Sequence, residues 1–299
     1  MDKPKYSAYV AWIAICIIWG TTYLAIRVGV AELPPMLFAG VRWIAAGVIL
    51  LILLNLRGRS LPRAKDLKQL AIVGILLLGI ANGLVVVAEQ WLPSGLTALI
   101  ISTLPFWMVG LEFISAKGPK INLFIIIGLL LGIVGTVIIF TRDLDITVDF
   151  NIFLGGLCLL GAVISWSFGS IYWKYKHVDV DPFMGASVQM LIAGILQTAL
   201  GFILGEHNVF ELTQTGFFAL GYLIVFGSIF GYASYIYAVK HLPLSLLSTY
   251  AYINPVIALL LGWYILSEPL TITVIIAAAL IFGGVVLVKR GSSIAASKK

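Results

Sequence analysis

The sequence predicts an all-α polytopic membrane protein with ten transmembrane helices, arranged as two five-helix repeats of inverted topology. Three observations carry this: an extreme apolar composition, apolar runs of bilayer length, and a duplicated unit that holds an odd number of runs. Of 299 residues, 61% are hydrophobic and 11% charged, whereas soluble chains carry about 25% charge. The charges cluster between apolar runs of about 20 residues, the length that crosses hydrocarbon as a helix. Ten such runs leave no room for a sizeable soluble domain, and their lack of alternation excludes a β-barrel. The two cysteines, Cys16 and Cys158, fall inside runs and read as packing residues.

The spans read as 8–29, 35–55, 68–90, 94–116, 121–140, 152–173, 182–204, 214–239, 244–267 and 270–289. Span 1 lacks a small-residue cleavage pattern and is expected as a retained helix. Sixteen Lys and Arg flank one set of connections, five of them (Arg57, Arg59, Arg63, Lys65, Lys68) between spans 2 and 3, against Arg142 on the other side. The positive-inside rule then places both termini in the cytoplasm of a multi-pass protein of the plasma (inner) membrane. The net charge of +6 reports topology and implies the lipid bilayer, not nucleic acid, as partner.

A repeat lies beneath the spans. Trp19 matches Trp166, Pro35 matches Pro182, and Ala46-Gly47 matches Ala193-Gly194 at an offset of 147, while Leu92-Pro93 matches Leu242-Pro243 and Pro105 matches Pro255 at 150. The units are residues 1–143 and 150–291, followed by a cytoplasmic tail over 292–299. Five is odd, so the second unit enters the membrane from the side opposite to the first. Inverted halves can exchange shapes and move an opening across the bilayer, which makes alternating-access transport the expected function.

Trp19-Gly20-Thr21-Thr22-Tyr23, Pro35 with Arg42 and Ala45-Ala46-Gly47, Leu92-Pro93 through Pro105, Tyr252-Ile253-Asn254-Pro255 and Ser267-Glu268-Pro269-Leu270 recur in fixed order. On these residues each half resembles an EamA repeat, the unit of the drug/metabolite transporter superfamily, over nearly the whole chain. The resemblance implies a ten-helix carrier of small organic metabolites, often an exporter of amino acids, with a central cavity between the halves. Gly118 departs from the pattern where a glutamate matching Glu268 is usual, and Gln189 stands opposite Arg42.

Pro105 and Pro255 are expected to kink spans 4 and 9. Each removes a backbone donor, leaving carbonyls for Ser102, Thr103, Asn254, water or substrate to satisfy. On span 1, Trp12, Cys16, Trp19, Tyr23 and Arg27 form one helical stripe, which span 6 repeats with Trp166, Ser170 and Trp173. Trp12 and Trp173 fit interfacial belts. The deeper Trp19 and Trp166, with Tyr23 and Ser170, are expected to line the cavity. Tyr232, Tyr235, Trp107, Tyr252 and Asn254 suit an amphipathic pocket for a zwitterion, a planar metabolite or an organic cation. Asn82 is either interhelical glue or a substrate contact. Arg42 and Glu89 either pair to fix spans 2 and 3, or Arg42 attracts a substrate carboxylate while Glu89 exchanges a proton.

Gly128, Gly132 and Gly135 face Gly283-Gly284 in the repeat, so spans 5 and 10 buttress each other or a second protomer in a homodimer. No phosphate loop is present and no room remains for a nucleotide domain, which disfavours an ATP-driven pump. His177, His207 and His241 lack metal-ligand spacing, so no metal, cofactor or enzymatic activity is expected. A facilitative channel is the alternative to a carrier, and a membrane-embedded enzyme a more distant one.

Overall fold

The computed structural model describes residues 3–114, 122–142, 150–176 and 178–296; Gly118, His177 and the acidic connection 143–149 lie outside them. Among the described residues all regular structure is helical. The first half comprises α1 (Lys3–Glu32), α2 (Pro35–Leu56), α3 (Ala64–Ala88), α4 (Ser94–Ile101 and Leu104–Ile114) and α5 (Leu123–Arg142). The second comprises α6 (Phe150–Tyr175), α7 (Pro182–Ile203), α8 (Gln214–His241), α9 (Leu244–Leu247 and Tyr250–Leu266) and α10 (Ile272–Ala296), which runs on into the expected tail. Among the described residues seven helices are long and apolar enough to cross a bilayer, and Ser94–Met108, Leu123–Gly135 and Tyr250–Leu266 are shorter apolar helices. Their outward faces carry Ile13, Ile17, Ile52, Leu53, Phe217 and Phe218 exposed. Water would reject that surface, and hydrocarbon accepts it.

α2 and α7 open on Pro35 and Pro182, where the missing N–H is no loss. Asp181 caps α7, accepting from the N–H groups of Phe183 (3.0 Å) and Met184 (3.2 Å). Before α2 stands Pro34, which has no capping side chain. Glu206, in the turn after α7, accepts from Met36 (3.1 Å) and Leu37 (2.7 Å) instead. Its counterpart at the offset of 147 is Arg59, which pairs with Asp181 at 3.3 Å. Both positive helix ends thus meet a carboxylate. The two helices pack closely, Gly194 lying against the backbone of Gly40 and Ile44.

α5 packs against α10 with backbone on backbone: a methyl on either Gly128 or Gly284 strikes the carbonyl oxygen of the other. The glycine faces therefore close on each other within one chain, as small-residue faces in membranes do.

α3 and α8 each contain a π-helical stretch, Ile75–Asn82 and Leu223–Tyr232, at matching places in the repeat. The wider turn leaves carbonyls poorly served, and neighbouring helices supply donors. Gln197 donates to Leu78 (2.9 Å) and Gly79 (3.2 Å), Ser165 to Leu76 (2.7 Å), and the Trp19 indole to Gly227 (3.1 Å).

α4 breaks at Ser102-Thr103, just ahead of Pro105, and the hydroxyls of both donate to the carbonyls of Leu99 (2.6 Å) and Ile100 (2.7 Å), which also accept from the backbone N–H groups of Ser102 (3.2 Å) and Thr103 (3.0 Å). α9 departs from expectation. Its interruption falls at Ser248-Thr249, and Pro255 sits inside the continuing helix. Short i→i+3 bonds at Thr249, Ala251 and Tyr252 tighten the turn upstream of the carbonyl that Pro255 cannot serve. Asn254, its amide assigned so that nitrogen donates, holds the carbonyls of Tyr250 (3.1 Å) and Cys16 (2.8 Å).

Candidate transport cavity

Three helices bring rings onto Trp19 of α1. Its ring meets Trp166 from α6 edge to face at 5.4 Å, Tyr235 from α8 at 5.1 Å and Tyr250 from α9 at 5.2 Å. Trp166 is held by a closed ring of hydrogen bonds. Its indole N–H donates to the Tyr235 hydroxyl (2.8 Å), Tyr235 shares a bond of 2.7 Å with Ser170, and Ser170 donates to the carbonyl of Trp166 (2.6 Å). Every polar atom in the ring is satisfied, so the indole face is fixed without recourse to water.

Beside this cluster lies a cavity of about 70 Å³ lined by Trp19, Thr22, Tyr23, Arg42, Trp43, Asn82, Trp166 and Tyr250 among apolar side chains. Arg42 is its charged wall and only 2% exposed. Its Nε donates to Ser228 (2.8 Å) and its guanidinium lies 4.3 Å from the centre of the Trp43 ring, while Nη1 is buried without a hydrogen-bond partner. Trp43 in turn donates to Asn82 (3.0 Å), which joins α2 to the end of the π-helical stretch of α3.

Glu89 stands at the end of α3, fully buried, and neither carboxylate oxygen has a partner. Among the described residues it forms no ion pair with Arg42; Arg27 donates to its backbone carbonyl. The direct Arg42–Glu89 pair is thus not formed, because Arg42 reaches across to Ser228 in the other repeat. On the same face Glu268 grips the start of α4, accepting from the N–H (2.8 Å) and hydroxyl (2.9 Å) of Ser94 and the N–H of Gly95 (3.1 Å). Ser267, left-handed at φ 55°, ends α9 and turns Glu268 back toward it.

The structure brings Trp19, Tyr23, Asn82, Trp166 and Arg42 onto one cavity. Tyr235 and Ser170 lie behind it as supports. Tyr232 is fully buried, donating to Gln189 (2.8 Å) with its ring against Trp43. Tyr252 packs into a separate cluster with Phe106, Val285 and Val288, Trp107 lines a different groove, and Asn254 serves backbone. Those four do not line the cavity: Trp107, Tyr252 and Asn254 are carried on α4 and α9, and Tyr232 of α8 is taken up by Gln189 and Trp43. Trp173 is fully buried rather than interfacial, donating to Ile236 (3.2 Å) under the Lys240 ammonium. Trp43 and Tyr250 stand on the cavity wall outside the expected set. For Tyr250 the available signal was a hydroxyl that needs a partner inside the membrane.

Seven long and three shorter apolar helices in two repeats, around a cavity walled by indoles and one arginine, are the architecture of a membrane transporter. The chain matches the EamA-like transporter family twice, over residues 6–141 and 153–290, and belongs to it. It is 38% identical over 282 residues to the uncharacterized inner membrane transporter YedA of Escherichia coli K12, covering 94% of this chain and 90% of that one. It is 28% identical over 276 residues to the uncharacterized transporter YoaV of Bacillus subtilis 168, covering 91% and 93%. A solved crystal structure shares the fold over 99% of both chains, with a TM-score of 0.71 at 21% identity.

Proposed function

We propose that the chain is a secondary carrier that exports a small amphipathic metabolite bearing a carboxylate, an amino acid or close relative, by alternating access of residues 1–143 against 150–291. The observation that carries this reading is the unpartnered Nη1 of Arg42 on the cavity wall. A buried guanidinium donor in a low-dielectric site favours an anion, and a carboxylate suits its fork. Trp19, Tyr23, Trp166 and Tyr250 offer rings to the rest of the molecule, and Asn82 a polar contact.

Glu89, whose carboxylate oxygens are buried and unpaired, is proposed as the exchangeable proton site. The charges of Glu268, Arg27 and Arg42 act on it, so its protonation senses both the cavity and the clasp on α4. In this reading both termini are cytoplasmic, the membrane is the inner one, and the Glu268–Ser94 clasp closes the outer face.

Counterflow in proteoliposomes tests the proposal. Labelled amino acids are expected to exchange saturably, Arg42→Gln to abolish exchange, and Glu89→Gln to keep exchange but lose its response to an imposed pH step. Undiminished exchange by Arg42→Gln refutes the carboxylate reading, and non-saturable flux without counterflow marks a channel.

A further inference from the structure

The central cavity, at about 70 Å³, is far below the roughly 300–1,000 Å³ of a pocket that encloses a drug-sized ligand. Beside it lies a groove of about 620 Å³ between α4, α5 and α6, lined by Ile100, Phe106, Trp107, Leu129, Leu157 and Leu160 among others, with Thr103 as its one hydroxyl. That hydroxyl is already bonded to the Ile100 carbonyl. The groove is open outward, since Ile133, Phe153, Leu157 and Leu160 are exposed on the lipid-facing side. Inward it abuts the cavity. Val163 lines both spaces, and the sequence neighbours Ile100 and Ile101, like Thr103 and Leu104, face one space each. A polar chamber with one unpaired cationic donor thus shares a wall with an apolar slot large enough for a chain.

Resting on the carboxylate reading of Arg42, we propose that the groove is the tail subsite of the same substrate. The carrier takes amphipathic monocarboxylates whose head meets Arg42 and whose straight hydrocarbon chain passes Val163 into the slot, with entry from the bilayer side. Charge complementarity fixes the head. The wall shared at Val163, and a lining whose polar side chains among the described residues are the bonded Thr103 hydroxyl and the indole of Trp107, favour an alkyl chain as its occupant.

Gly110 provides the test, because a side chain built there meets nothing within 4 Å and points into open groove. Straight-chain carboxylates from butyrate to decanoate are titrated against protein in nanodiscs. Wild type is expected to tighten about fourfold per methylene group, the ordinary gain for burying one. Gly110→Trp is expected to flatten that series, weakening decanoate by at least about a hundredfold at that increment, while butyrate keeps its affinity within about twofold. Gly110→Ala is expected to behave as wild type.

An unchanged series in Gly110→Trp overturns the proposal and leaves the slot to bilayer lipid. If Gly110→Trp does not fold, chain-brominated decanoate decides instead: quenching of Trp107, read as the difference between wild type and Trp107→Phe, supports the subsite, and no difference overturns it. Arg42→Gln separates the two readings. If it binds butyrate like wild type, the head-group reading fails and takes the tail subsite with it; if butyrate is lost but the chain-length series survives Gly110→Trp, only the tail subsite fails.

Discussion

The indole N–H of Trp166 donates to the hydroxyl of Tyr235, and the bond is one edge of a three-membered ring that returns through Ser170 to Trp166 itself. Such a ring acts as a unit. Tyr235→Phe removes two of its bonds and leaves the indole N–H without a partner, at about 1–3 kcal/mol. Ser170→Ala breaks the same ring, so thermal unfolding of the double variant is expected to fall short of the sum of the singles. Additive losses would show that the bonds are independent.

Glu268 joins the second repeat to the first residues of α4 through three donors. Charge-assisted bonds to a helix N-terminus favour the face being closed. Glu268→Ala is expected to open it, by about 1–3 kcal/mol of lost hydrogen bonding. Alkylation of a cysteine placed at Thr97, which is fully buried near that end of α4, reads the change. Accessibility equal to that of the cysteine variant alone removes Glu268 from gating.

Neighbouring glycines in α10 are expected to behave in opposite ways. A methyl at Gly283 meets nothing within 4 Å, whereas at Gly284 it meets the backbone of Gly128 and Gly132. Gly283→Ala should be neutral or stabilising by up to about 1 kcal/mol through helix propensity. Gly284→Ala should cost about 1–3 kcal/mol by forcing α5 and α10 apart. Melting temperatures in detergent compare them directly.

Arg42→Lys is expected to fail almost as completely as Arg42→Gln in counterflow. A lysine keeps the charge but cannot hold Ser228 and lie flat against Trp43 while presenting a further donor. Ser228→Ala should then raise the half-saturation concentration severalfold with the maximal rate little changed. Full rescue by lysine would mean that charge alone matters.

The spans and the duplication were legible because both are written in local signals: run length, and paired prolines and tryptophans at constant offset. Trp19, Trp166 and Arg42 were legible because they sit on deep faces of helices that are regular around them. Tyr252, Asn254 and Trp107 were not. Their directions depend on where α4 and α9 break, and that is set by Ser102-Thr103 and Ser248-Thr249 together with the contacts around them. Proline marked the strained segment without marking the turn that absorbs the strain. Trp43 escaped because its partner, Asn82, lies 39 positions away on a helix whose π-helical winding leaves no trace in hydrophobic periodicity.

That winding makes the helix tolerant of a lost residue. Ile75–Asn82 holds its residues in a broader coil than an ordinary helix, so deleting a single leucine there would let the coil relax to the common form. Everything beyond would keep nearly its present facing, because the wider turn takes up about one residue that the common form does without. Asn82 would still be aimed at Trp43, and the mirrored coil in the other half offers the same slack.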